Sequence, residues 1–162
     1  MWLSDRRFVI LAPLALAACG FAPLYGPGSA AAALQGAVRA AEPTDRAGFD
    51  LVARIEERLG RPGIARFDLA YEITLEPVGV GVTTDGVTTR YTLTGSVAYS
   101  LTDRANGAAL HGGSVSGFTA YSATGSTVAV LEAEDDARAR LMVILADQIV
   151  ARLLASAADW LP

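Results

Sequence analysis

Hydrophobic and polar residues alternate most regularly between Phe67 and Glu76. Phe67, Leu69, Tyr71, Ile73 and Leu75 fall on one side of a period of two, and Asp68, Ala70, Glu72, Thr74 and Glu76 on the other. Side chains of an extended backbone point alternately to opposite faces, so this pattern predicts a half-buried strand. Pro77 either ends that strand or leaves it on a sheet edge, because proline offers no N–H to a neighbour. Thr83-Thr84-Asp85-Gly86 supplies a turn, and alternation resumes from Thr89 to Thr102. There Tyr91, Leu93, Val97, Tyr99 and Leu101 form the apolar face, and Arg90, Thr92, Thr94, Ser96, Ser100 and Thr102 the polar one. Asp103 to Gly107 is a hairpin connection into a third strand from about Ala109 to Tyr121. Strands this close in sequence pair antiparallel, and such a sheet can cover one face and leave the other wet or partner-facing.

Two helices flank this meander. Thr44 or Asp45 caps the first, whose stripe is Leu51, Val52, Ile55 and Leu59 and whose stop is Gly60 with Pro62. The last runs from about Ser126 to Ala157 on a stripe of Met142, Leu145, Ala146, Ile149 and Leu153, widened by Val143, Val150 and Leu154. Leu141 and Ile144 stand among Arg140, Asp147, Gln148 and Arg152, so apolar residues reach beyond one face. A deep core shared with the first helix explains that width; a second apolar contact with another protein is the alternative. Glu132, Glu134, Asp135 and Asp136 sit near the helix start, where the dipole favours acids, and Glu134 to Arg138 and Asp136 to Arg140 are favourable i,i+4 pairs. Leu34 to Ala41 is read as a first strand.

The chain opens differently. Arg6 and Arg7 precede an apolar core from Phe8 to Ala15, and Leu16-Ala17-Ala18-Cys19 follows. This is the build of a secretory signal, about half the ~20 apolar residues a membrane span needs. The Leu-Ala-Ala-Cys ending resembles the lipobox of bacterial lipoproteins. That resemblance implies a signal peptide over residues 1–18, cleavage between Ala18 and Cys19, a diacylglycerol on the cysteine sulfur and an acyl chain, such as palmitate, on its new amino terminus. Residues 19–33, rich in Gly, Pro and Ala, then read as a flexible tether ahead of a single α/β domain over 34–162.

Composition narrows the chemistry. All 13 basic residues are arginine. Without lysine there is no Schiff base, no P-loop and no Ser-Lys dyad. Removing residues 1–18 takes away Arg6, Arg7 and Asp5, moving the formal charge from −4 to −5. That balance argues against a nucleic-acid partner, whose phosphates are held by basic residues. The lone Cys19 and lone His111 exclude multi-histidine zinc sites and Cys-His pairs by count. Gly112 to Gly117 fails the Gly-x-Ser-x-Gly elbow, so His111 reads as structural or surface. Gly79-Val80-Gly81-Val82-Thr83-Thr84 lacks the last glycine of a dinucleotide fingerprint and leads into a strand. Glu56 and Glu57 diverge on their helix and read as a solvated face between Arg54 and Arg58. No catalytic set, metal site or dissociable cofactor emerges, and the chain is read as a non-enzyme.

Four pieces in order then carry a family resemblance: Cys19-Gly20-Phe21-Ala22-Pro23-Leu24-Tyr25-Gly26, the Asp85-Gly86 turn leading to Arg90-Tyr91-Thr92-Leu93, Phe118-Thr119-Ala120-Tyr121, and Ala146-Asp147-Gln148-Ile149. Together they resemble LptE, the lipopolysaccharide-assembly lipoprotein family, over essentially the whole chain. The resemblance implies an α+β fold, an α/β sandwich of two helices on a mainly antiparallel four-stranded sheet. It also implies an anchor in the outer membrane facing the periplasm, and a place inside the LptD β-barrel, with lipopolysaccharide a second candidate partner. Gly20 agrees with that address, since it is not the aspartate associated with inner-membrane retention. Better-described members have basic residues near the second-to-third strand turn and at the start of the final helix, where they are suggested to touch lipopolysaccharide. Here those places read Thr83-Thr84-Asp85 and Val130-Leu131-Glu132, leaving Arg90 as the nearest basic candidate. The residues assigned to barrel or lipid contact are Thr84, Asp85, Arg90, Thr92, Thr94 and Tyr121. The alternative function is a periplasmic auxiliary lipoprotein of an ABC-type lipid transporter; a hydrolase comes third.

Two acyl chains anchor a protein stably where one is marginal, at about 0.8 kcal/mol per buried CH₂. Cys19→Ala is therefore expected to leave an unprocessed or mislocalised chain, and mass analysis of the membrane-extracted wild type should show an acylated Cys19. An unmodified cysteine there contradicts the anchor.

Overall fold

The alternating segments form three long strands. In the computed structural model, which describes residue 26 and residues 29–161, β2 spans Phe67–Val82, β3 Thr88–Asp103 and β4 Ala109–Ser122. Ala18, Cys19, the rest of the signal segment and most of the tether lie outside the described residues. A short β1, Val38–Ala40, pairs parallel with Phe67–Leu69, and the sheet order is β1-β2-β3-β4 with the other two pairings antiparallel. Three helices complete the described residues: α1 (Ala30–Leu34), α2 (Arg46–Leu59) and α3 (Thr127–Trp160). The fold is α+β, with a mainly antiparallel four-stranded sheet carrying its two long helices on one face.

The first strand is shorter than the expected Leu34–Ala41. Four alanines and a leucine, the best helix formers, make a turn of helix instead, capped by Ser29 Oγ, which accepts from Ala32 N at 3.2 Å. Gly36, at φ +65°, reverses the chain, and only Val38–Ala40 remain extended. Ala31 and Leu34 are buried, so α1 is part of the packed domain although its alanines read as tether.

Capping follows sequence closely elsewhere. Asp45 Oδ1 accepts from Gly48 N at 2.7 Å, and Gly60 ends α2 at φ +79°. Ser126 caps α3, which runs past Ala157 to Trp160, whose indole meets Phe67 edge-on at 5.6 Å. Pro77 lies within β2, paired with Leu93 but beyond the reach of β1, so it occupies an edge. The pairs Glu134–Arg138 and Asp136–Arg140 both form.

The breadth of apolar residues on α3 is explained by packing on two sides. Met142, Leu145, Ala146, Ile149, Val150 and Leu153 are fully buried between the sheet and α2. Leu141, expected on the polar flank, is fully buried as well. Its seat is a trough where Gly95 of β3 faces Gly117 of β4. A Cβ on Gly95 would stand 2.8 Å from Leu141 Cδ2, and one on Gly117 3.6 Å from Leu141 Cδ1. The two glycines thus let the helix settle onto the sheet. Arg54 clamps α2 to α3 through two bonds to Asp147, Nε to Oδ1 and Nη2 to Oδ2, each 3.0 Å. Those bonds hold its pKa above the ordinary arginine range.

Two expectations follow. Leu145→Ala or Ile149→Ala should cost about 2–5 kcal/mol as buried large-to-small changes, and Gly95→Val about 1–3 kcal/mol by overfilling the trough, all read by urea unfolding. Near-zero effects at all three positions contradict this core. Burial also raises the pKa of Tyr71, Tyr99 and Tyr121 above the ordinary value of 10.0. The folded state then holds these phenolic protons more tightly than the unfolded chain does. Stability is full below pH 10 and is lost as pH rises through 10 towards the raised values. With no lysine to titrate in that window, the unfolding midpoint should fall between pH 9 and 11, and less steeply in Tyr99→Phe.

Candidate interaction surface

Because both long helices lie on one side, the other side of the sheet is bare among the described residues. Antiparallel register sets its residues in rows across three strands. Gly81, Arg90 and Ser122 form the row nearest the β2–β3 turn. Val78, Thr92 and Ala120 come next, then Glu76, Thr94 and Phe118. Further rows read Thr74, Ser96, Ser116 and then Glu72, Ala98, Ser114. Small residues therefore carpet most of the face, and Phe118 of β4, 71% exposed, stands out of it next to Thr94 of β3.

The turn at the end of this face is held locally. Thr83 Oγ1 accepts from Val87 N at 3.1 Å, Gly86 N donates to Thr83 O, and Gly86 takes φ +79°. The turn displays Val80, Val82 and Val87 to solvent. Thr84 and Asp85 are exposed at its tip, and Arg90, also exposed, forms no ion pair among the described residues.

Thr84, Asp85, Arg90, Thr92 and Thr94 thus lie together along one end of the bare face. Tyr121 does not join them. It pairs with Tyr91, on the helix side of the sheet, and stacks on that ring at 5.4 Å and 15°. It is 8% exposed, and burial, followed by the nearby Glu134 carboxylate, raises its pKa. Although it stands at the strand end beside the outward residues, its parity with Val115 sets it on the helix side. The same parity rule marks Phe118, absent from the expected contact set, as an aromatic pointing away from the core. That signal was present in the alternation.

His111 stands beside Tyr99, whose hydroxyl is 3.3 Å from Nε2. Among the described residues no three His, Cys, Asp or Glu side chains gather as a metal site. The outward face is thus a surface of mostly small side chains with an exposed aromatic, a valine-rich turn and one exposed arginine.

Comparison with known proteins bears on the family. The sequence model described as "LptE: Lipopolysaccharide-assembly" matches residues 35–153. A search of curated proteins finds no match. Among solved structures, a candidate lipoprotein of Caulobacter crescentus CB15 superposes with a TM-score of 0.68 at 22% identity, covering 80% of this chain and 96% of that one. The rare lipoprotein B of Shewanella oneidensis gives 0.59 at 12% identity, covering 76% and 96%. A minor lipoprotein of Acinetobacter baumannii gives 0.55 at 18%, covering 74% and 90%. At these identities the structures show a shared fold, and the match over residues 35–153 supplies the family. With its helix-backed sheet, capped elements and matched span, the chain belongs to the LptE family of lipopolysaccharide-assembly proteins.

Proposed function

We propose that this protein is a non-catalytic outer-membrane lipoprotein, anchored through Cys19 and facing the periplasm, that plugs and helps assemble the LptD barrel and so helps lipopolysaccharide reach the outer leaflet. The observation that carries the reading is the family match over residues 35–153 in a domain with one sheet face bare. A large barrel leaves a lumen too wide for its own side chains to fill. β2 and β3, 16 residues each, extend about 50 Å, more than the ~30 Å of hydrocarbon. A domain of that length standing in a barrel reaches through it. The lipid anchor and tether raise the effective concentration of domain and barrel for each other. The contact face is the bare one towards the β2–β3 turn, with Thr92, Thr94 and Phe118 along it and Thr84 and Asp85 at its tip. Arg90 is the residue there able to meet a phosphate of lipopolysaccharide.

Photo-crosslinkers placed in cells at Thr92, Thr94 and Phe118 should capture the barrel protein, whereas one at the buried Tyr121 should stay silent. Depletion of the protein should lower assembled barrel and surface lipopolysaccharide. Capture of inner-membrane permease subunits alone supports the ABC-transporter alternative, and unchanged barrel assembly on depletion contradicts the assembly role.

A further inference from the structure

The sheet has two edges, and they are treated differently. Along β4 three of the outward carbonyls are capped by side chains of α3: Arg152 donates to Ser114 O, Gln148 Nε2 to Ser116 O at 3.3 Å, and Arg140 to Ala120 O at 3.5 Å. These donors recur at multiples of four along the helix, on one stripe. They occupy acceptors that an added strand would need, one of the ways in which natural sheets protect an edge.

The β2 edge has no such cover among the described residues. β1 pairs only as far as Leu69, where Ala41 N donates to Leu69 O at 2.8 Å, and the chain then leaves the sheet. Arg66 O accepts from Arg104 N, so even-numbered residues of β2 turn their backbone groups towards β3, and odd-numbered ones towards the β1 side. The N–H and C=O groups of Tyr71, Ile73 and Leu75 therefore point into a vacant strand position in line with β1. No backbone partner meets them among the described residues. Pro77 stands at the next odd position, where its missing N–H closes the stretch.

Charge specifies what fits. β1 itself shows the rule: Arg39, on the bare face, donates to Asp68 Oδ1 of β2 at 3.0 Å. Glu72 and Glu76 continue Asp68 at intervals of four on the same face, and neither forms an ion pair among the described residues. On the helix side, Ile73 and Leu75 are half-buried at the rim of the core. A strand filling the vacant position would set alternate side chains against this apolar rim and the others against two carboxylates.

We propose that the β2 edge from Tyr71 to Glu76 adds a strand from a second protein, an extended segment with apolar residues facing the helices and arginine or lysine facing Glu72 and Glu76. A second copy of this chain fits poorly, since β2 against β2 gathers four carboxylates on one face. The chain's own stretch from Cys19 to Ser29 contains no basic residue. The inference goes beyond the barrel reading and does not depend on it.

The test uses the full-length lipoprotein in detergent, isotopically labelled, with the capped synthetic peptide Val-Lys-Val-Lys-Val-Lys-Val as probe. Binding should slow amide exchange of Tyr71, Ile73 and Leu75 by about tenfold or more, with no change along β4. A peptide of the same side chains N-methylated at alternate residues should lose this effect, because it keeps charge and apolar area but cannot complete the ladder. Glu72→Lys with Glu76→Lys should weaken the basic peptide about tenfold and favour its glutamate counterpart to a similar degree. No binding, equal binding of the N-methylated peptide, protection away from β2, or indifference to the charge reversal would each overturn the proposal.

Discussion

Burial of α3 against the sheet is the interaction on which the rest of the structure depends. The helix contributes ten of the buried residues, from Ala137 to Ala157, and meets β3, β4, α2 and α1. It settles onto β3 and β4 because Gly95 and Gly117 face each other and leave a trough for Leu141. An apolar surface of that breadth, left in water, would cost about 25 cal/mol per Å². By length and hydropathy α3 could cross a membrane, yet half of its most apolar stretch is buried within this domain. Its greasiness is spent on packing in two directions.

Several features follow from where that helix lies. With α2 and α3 on the same side, the opposite sheet face has only small and polar side chains to present, apart from Phe118 and Val78. The long side chains on the β4 flank of α3 reach down to outward carbonyls and close that edge. The β2 edge lies on the far side of the sheet, out of their reach. One covered face, one closed edge, one bare face and one open edge are thus consequences of a single packing arrangement.

Much of this was legible in the sequence. The period of two in β2 and β3 identified the covered and bare faces, and Asp45, Gly60 and Ser126 marked helix ends through capping chemistry that is local and strong. What escaped were features decided by tertiary context. Ala30–Ala33 read as spacer because composition cannot tell a tether from an alanine helix with a place to dock. Leu141 looked polar-flanked because nothing in a linear pattern shows two distant glycines coming face to face. On the outward sheet face, Arg90, Thr92 and Thr94 followed from alternation, whereas Tyr121, expected there from its position at a strand end, lies on the helix side.

The central claim is that the bare sheet face is the surface covered by a partner in the outer membrane. The most direct measurement is maleimide labelling of Phe118→Cys in a chain whose lone native cysteine, Cys19, is the proposed acylation site. The account predicts rapid labelling in the purified, partner-free protein and labelling slowed by about tenfold or more in intact outer membranes, as expected for a residue withdrawn from water at an interface. Equal rates in the two settings would contradict it.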